Sequence, residues 1–123
     1  MADRMKVYKG RRTANGIGNQ PVIVECPATG GSYALRHVVR HSPTGLQWGY
    51  GGSGPADLAL SILYDFCTDR NSAEMFHQQF KWDFVSGWED EWSIEGETIN
   101  SWLKEQWRKK HEEHGAEIPA NYQ

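Results

Sequence analysis

Four glycines in six residues, Gly49, Gly51, Gly52 and Gly54, stand directly before an apolar run that starts at Pro55 and Ala56. Glycine lets the backbone turn tightly and approach another surface closely. A loop of this kind that enters a helix presents unpaired N–H groups and a partial positive charge, which is the physics of an anion site. Tyr50, Gly51, Gly52, Ser53 and Gly54 are therefore the candidate ligand residues, with Tyr50 placed to stack on a base and Gly54 as the expected helix cap. The same loop also reads as a packing corner that lets a buried helix lie close to a sheet. Gly49, Gly51 and Gly54 fit GxGxxG, but no strand–helix–strand unit surrounds them and no acidic residue stands at the end of a second parallel strand to hold a ribose. Pro55 and Ala56 occupy the positions where a Walker A loop carries Lys and Ser or Thr. Asp57, in the expected first turn, favours the helix N-terminus itself and would repel a bound phosphate.

Two charged tracts suggest contact with a macromolecule. Trp88, Glu89, Asp90, Glu91 and Trp92 form an acidic stretch framed by indoles, a fair patch for a basic protein surface. Arg36, His37, Arg40 and His41, with Lys6, Lys9, Arg11 and Arg12, form a basic strip that could track phosphates or could simply be a solvated sheet face. The net charge of −3 hides a split: residues 1–56 carry seven Lys/Arg and two Asp/Glu, while residues 57–123 carry six and fourteen. Such a dipolar chain offers two surfaces of opposite sign, unless its halves attract each other inside the fold. Trp88, Glu89, Asp90, Glu91, Arg36 and Arg40 are the candidate partner-binding residues.

Other chemistry is sparse. His111 and His114 bracket Glu112 and Glu113, but the spacing is not HExxH and no third ligand is evident, so no metal is expected. Ser53 lies between glycines, but Pro55 stands where a nucleophile elbow GxSxG carries its second outer glycine. No carboxylate pair has the setting of a general acid and base. Cys26 and Cys67 lack CxxC spacing and read as small buried hydrophobes in a reducing compartment. The expectation is a non-enzymatic protein without a cofactor.

The elements that must position these residues follow from periodicity. Residues 5–9, 22–26 and 33–39 read as strands separated by turns at Gly10, Asn15–Gly16 and Gly30–Gly31. From Pro55, the residues Leu58, Ile62 and Phe66 share a face, with Ala59, Leu63 and Cys67 beside them. Phe76, Phe80 and Phe84 repeat along a second helix, expected to start near Asn71 with Glu74 in a capping pattern and to end at Gly87. Ile99, Trp102, Leu103 and Trp107 mark a third helix, expected to start after Ser93 and to stop at Gly115. This predicts an α+β fold, a small antiparallel sheet of about three strands in the N-terminal third packed against about three helices. One domain is expected over 1–115, with a flexible tail over 116–123. No apolar run is long enough to span a membrane and the N-terminus carries no leader pattern, so a cytoplasmic location is expected.

The tract from His41 to Gly45, then Trp48-Gly49-Tyr50-Gly51-Gly52-Ser53-Gly54-Pro55 and Leu58-Ala59-Leu60, resembles the signature of a family of small bacterial and phage proteins catalogued as a domain of unknown function. The order of Val7 to Arg11, Phe80-Lys81, Trp92 to Ile94, and Ile99, Trp102 and Leu103 is similar too, so the likeness spans roughly residues 5–104. At Gln47 an acidic residue is more familiar in that family. The resemblance carries no site residues. It implies an accessory protein of a bacterial host cell, phage or mobile element. The corresponding expectation is a binding protein that occupies a host protein or ribonucleoprotein complex, for example an inhibitor of a bacterial defence system such as an anti-CRISPR protein. A nucleotide or phosphate module using Gly49–Gly54 is the alternative, and a nucleic-acid-binding accessory protein is a third.

Overall fold

A computed structural model describes residues 4–13 and 15–123. Three strands come first: β1 (Val7–Arg11), β2 (Val22–Cys26) and β3 (Gly31–Ala34). Helices α1 (Ser53–Phe66) and α2 (Arg70–Asp83) follow, then strand β4 (Glu91–Glu95) and helix α3 (Gly96–His114). The sheet is antiparallel in the order β3-β2-β1-β4. The fold is α+β, as the periodicities predict, with four strands where about three were expected.

Alternation along the strands sets the two faces. Tyr8, Val22, Val24, Trp92 and Ile94 point into the core, while Lys9, Arg11, Glu91 and Ser93 face solvent. Tyr8 lies between Val24 and Ile94 across the two ladders. Leu58, Ile62 and Phe66 of α1, Phe76 and Phe80 of α2, and Ile99, Leu103 and Trp107 of α3 are buried in the same cluster. Aromatic edges bind the helices together: Phe80 meets Trp102 at 5.2 Å and Phe76 meets Trp107 at 5.1 Å between ring centroids, both near perpendicular. Such edge-to-face geometry is favoured by the ring quadrupoles.

The differences from the sequence reading have local causes. Strand β4 takes up the end of the acidic stretch from Glu91 onward, because Glu91, Ser93 and Glu95 alternate with Trp92 and Ile94 and only the latter two need burial. α3 then starts at Gly96 rather than just after Ser93. β3 ends at Ala34, not Val39: the Val38 N–H is taken by the Ser61 hydroxyl of α1 at 2.9 Å, and the N–H groups of Arg40, His41 and Ser42 that follow are taken by a carboxylate of the same helix. α1 begins at Ser53, and its cap is Gly52, not Gly54. Pro55 still lies in the first turn, where its missing N–H costs nothing. The cap of α2 is Asp69 rather than Asn71: its carboxylate accepts from the Ser72 N–H at 2.9 Å. α2 gives way after Asp83 to a 3-10 turn at Val85–Gly87. Gly115 closes α3 with φ 68°, a left-handed conformation suited to glycine. The segment 116–123, read as a tail, folds back: Tyr122 is buried, stacks beside Trp107 and donates to Asp69 at 3.0 Å.

Candidate functional site

The glycine-rich loop is a corner whose space is already taken. A Cβ on Gly51 would lie 2.2 Å from the Trp82 ring, and one on Gly54 would lie 2.7 Å from Cβ of Gln47. The Tyr50 ring covers Gly52, where a Cβ would approach it to 2.6 Å. The Gly51 carbonyl accepts from Lys81 Nζ at 3.0 Å, and that ammonium sits 4.3 Å from the Trp82 ring centre. Gly49 adopts φ 89°, which turns the chain so that its N–H reaches the Val85 carbonyl at 3.0 Å. The loop thus ties the start of α1 to the end of α2. Gly54 is buried within α1, and Ser53, at its first position, is exposed and makes no side-chain cap bond. The missing side chains leave room for the Trp82 ring of α2 and for Tyr50 and Gln47 just before α1.

The acidic tract is joined to this corner. Trp48 is fully buried and donates Nε1–H to the Glu89 carbonyl at 2.7 Å. Trp88 stacks on Trp92 at 3.8 Å, and Trp92 meets Trp48 edge-on. Arg12 lies over the Trp48 ring and donates to Asp90 at 3.0 Å and to Gln47 at 3.1 Å. Glu91 sits on β4 and pairs with Arg11. Glu89, Asp90 and Glu91 are exposed, as are Tyr50 at 50% and Trp82 at 59%. One corner therefore carries two half-exposed aromatic rings, each lying against a glycine of the loop, next to a run of carboxylates.

The basic strip behaves differently from its sequence. Lys6 pairs with Asp65, Lys9 with Glu25, Arg11 with Glu91, and Arg12 with Asp90. Arg40 makes two bonds of 2.6 Å to Glu74. Lys6, Arg11, Arg12 and Arg40 of the positive first half are thus paired with acids of the negative second half, while Lys9 is paired within the first. Arg36 and Arg40 do not lie on the sheet but in the segment that follows β3, and they do not share a site with Glu89–Glu91.

That segment is held by Asp57. Its carboxylate is fully buried and accepts from His37 Nε2 at 2.8 Å, from the His41 N–H at 2.7 Å, from the Ser42 N–H at 3.0 Å and from the Arg40 N–H at 3.2 Å. Burial pushes its pKa up, but the His37 bond and the three backbone donors outweigh it and hold it below the ordinary value. Asp57 therefore serves a loop rather than the helix dipole. Next to it, His77 Nδ1 lies 2.8 Å from the Glu74 carbonyl, which can only accept. Nε2 of His77 is then the acceptor for His41 Nε2 at 3.1 Å. Burial lowers the His77 pKa, and the neighbouring His41 and Arg40 lower it further against the Glu74 contributions. Glu74 is held down at about 2 by its bonds to Arg40 and Tyr64.

Sequence reasoning missed Trp82, Lys81, Glu74, His77 and Arg70. A signal existed for Trp82: it lies two residues from Phe80, roughly 200° around a helix, and so had to face away from the core stripe. The role of Asp57 was missed because the segment of its partners, His37 and the N–H groups of Arg40, His41 and Ser42, reads in sequence as a basic strip of side chains rather than as backbone donors. Cys67 is partly buried and burial pushes its thiol up to about 12, so it is not poised as a nucleophile. Among the described residues, no group of three or more His, Cys, Asp or Glu side chains could hold a metal ion. No helix is long and apolar enough to cross a membrane among them either.

Over residues 8–105 the chain matches DUF6166, a family of unknown function, and it belongs to that family. No curated protein and no solved structure matches the chain.

Proposed function

We propose that this protein is a non-enzymatic binding protein that docks a protein partner at the corner formed by Tyr50, Trp82 and the acidic run Glu89–Glu91. The exposure of Trp82 carries this reading. Large aromatics left open to water at a rigid site are the side chains that dominate protein interfaces. Here the Trp82 ring is fixed from below by Gly51 and from the side by Lys81, so little freedom is lost on binding. The neighbouring carboxylates select a basic partner and speed its encounter. The finer form of the reading is an accessory protein of phage or mobile-element type that occupies a host protein or ribonucleoprotein, as an inhibitor of a bacterial defence system such as CRISPR would. It rests on the Trp48–Pro55 resemblance and on the charge split. A nucleotide at Gly49–Gly54 has less support, since side chains of the chain itself fill the loop. Nucleic-acid binding along the strip has less support too, because Lys6, Lys9, Arg11, Arg12 and Arg40 are paired with carboxylates.

Affinity capture followed by titration of the identified partner tests the proposal. Trp82→Ala is expected to weaken binding tenfold or more with an unchanged circular-dichroism spectrum. Glu89→Lys with Asp90→Lys is expected to weaken it further and to flatten its salt dependence. A partner whose affinity ignores all three changes would overturn the assignment of this corner.

A further inference from the structure

We propose that the groove at the other end of α1 binds a phosphate-bearing small molecule, gripped by Arg36 and Arg70. The groove has a volume of about 500 Å³, with Arg36 and Val38 on one wall and Tyr64, Thr68 and Arg70 on the other. That volume is typical of a small-ligand pocket. Its arginines differ from Lys6, Lys9, Arg11, Arg12 and Arg40, each of which has a carboxylate partner. Among the described residues, Arg36 makes no hydrogen bond or ion pair. Arg70 has only the Tyr64 ring, at 5.8 Å.

Carboxylates nearby do not answer them because each is already engaged. Asp65, which lines the groove, accepts from Tyr8 and Tyr33 at 2.7 Å and from Lys6 at 3.3 Å. Asp69, next to Arg70, accepts from the Ser72 N–H and from Tyr122 at 3.0 Å. Glu74 is filled by Arg40 and Tyr64. Two guanidiniums thus face one open groove with no internal anion left to take. Their planar forks match phosphate oxygens in bidentate pairs. The Thr68 hydroxyl oxygen accepts from the Asn121 amide at 3.2 Å, so its proton is free to donate to a further acceptor. Buried Leu35 and partly buried Val38 and Cys67 supply apolar floor for the organic part of the ligand. A nucleoside monophosphate has this combination of dianion and flat body. The site stands apart from the glycine loop, one helix length away along α1.

Amide chemical shifts of the full chain, titrated at constant ionic strength with inorganic phosphate, adenosine monophosphate and adenosine, test the assignment. The expected result is saturable movement of the Arg36, Val38, Thr68 and Arg70 signals with the monophosphate, at least tenfold tighter than with adenosine. Inorganic phosphate should move the same signals more weakly. Arg36→Gln and Arg70→Gln, both at exposed positions, are each expected to weaken binding tenfold or more, while Arg108→Gln on α3 leaves it unchanged. Movement confined to Gly51–Ala56, or none with either phosphate compound beyond that caused by chloride, would overturn the proposal. So would binding of an acidic peptide or single-stranded RNA at these residues without the monophosphate.

Discussion

The two ends of helix α1 contradict their sequences. The N-terminal end is approached by four glycines and has the composition of a phosphate loop, yet Trp82, Tyr50 and Gln47 fill the space the glycines open. The C-terminal end, Tyr64 to Thr68, carries no motif, yet it borders an open groove with two uncommitted arginines. Glycine removes a side chain, but the neighbours decide whether a ligand or another part of the same chain takes the room. Likewise, a cation offers a site only after the internal carboxylates have been assigned. At the first end the helix is sealed by packing. At the second, Asp65, Asp69 and Glu74 are engaged elsewhere and the charge is left over.

The largest effect should come from the anchor that shapes one wall of the groove. Asp57→Ala strips three backbone donors and His37 of their shared acceptor. By the precedent of breaking buried charged pairs, the loss should be about 3–5 kcal/mol in urea unfolding. A loss below about 1 kcal/mol would mean that the 37–42 segment is held by something else.

At the sealed end, Gly51→Ala should cost about 1–3 kcal/mol through overpacking against Trp82. In a Trp82→Ala background most of that cost should vanish, and a double-mutant cycle measures the coupling. Additive losses would show that the ring is not what fills the corner.

Acid should act in two stages. The His77 pKa is lowered from its ordinary 6.5. Below about that pH the unfolded chain takes up a proton that the folded ring refuses, so stability falls as pH falls. His77→Gln should remove this first decline. The folded pKa of Glu74 lies at about 2 against an ordinary 4.5, and that of Asp57 is also lowered. Both contribute stability at neutral pH that is lost only as pH drops below about 4.5, giving a second decline that the His77 variant keeps. Thermal melts across pH 3 to 8, spanning the two ordinary values, would separate the stages. A profile flat between neutrality and pH 5 would remove His77 from the account, since an imidazole ordinarily titrates in that window.

The smallest effect is expected at the open end. Arg36→Gln and Arg70→Gln should leave the melting curve of the unliganded protein unchanged, because neither side chain holds a carboxylate. Arg40→Gln, which removes the Glu74 pair, should lower it measurably. A clear destabilisation by either groove arginine would show that its charge is committed inside the fold and would erase the contrast between the two ends.

The fold was legible where burial imposes a period. Leu58, Ile62 and Phe66, and Phe76 and Phe80, announce their helices because only one stripe of each can be buried. Strand β4 was legible in principle, since Trp92 and Ile94 alternate with polar residues, but its charges drew attention away from that alternation. The site was much less legible. Asp57 finds its partners 15 to 20 residues upstream, and Arg70 acquires meaning only when Arg36 stands across from it. Such pairings are set by tertiary placement, which local patterning does not encode. The charge split was visible from the start. Its resolution, base against acid across the halves, required the topology.

That topology bears on how the chain can fold as it is made. β1 lies between β2 and β4, and its second ladder joins Val7–Arg11 to Glu91–Glu95. Lys6 and Arg12 likewise wait for Asp65 and Asp90, 59 and 78 positions later. Contacts so distant along the chain slow folding, because a long loop must close before they form. A nascent chain shorter than residue 91 therefore shows β1 as an open edge strand whose Arg11 lacks its acid, Glu91. Completion of the sheet waits for a strand synthesised after both α1 and α2, so the edge of the N-terminal β1–β2–β3 unit is covered only once two helices have been made.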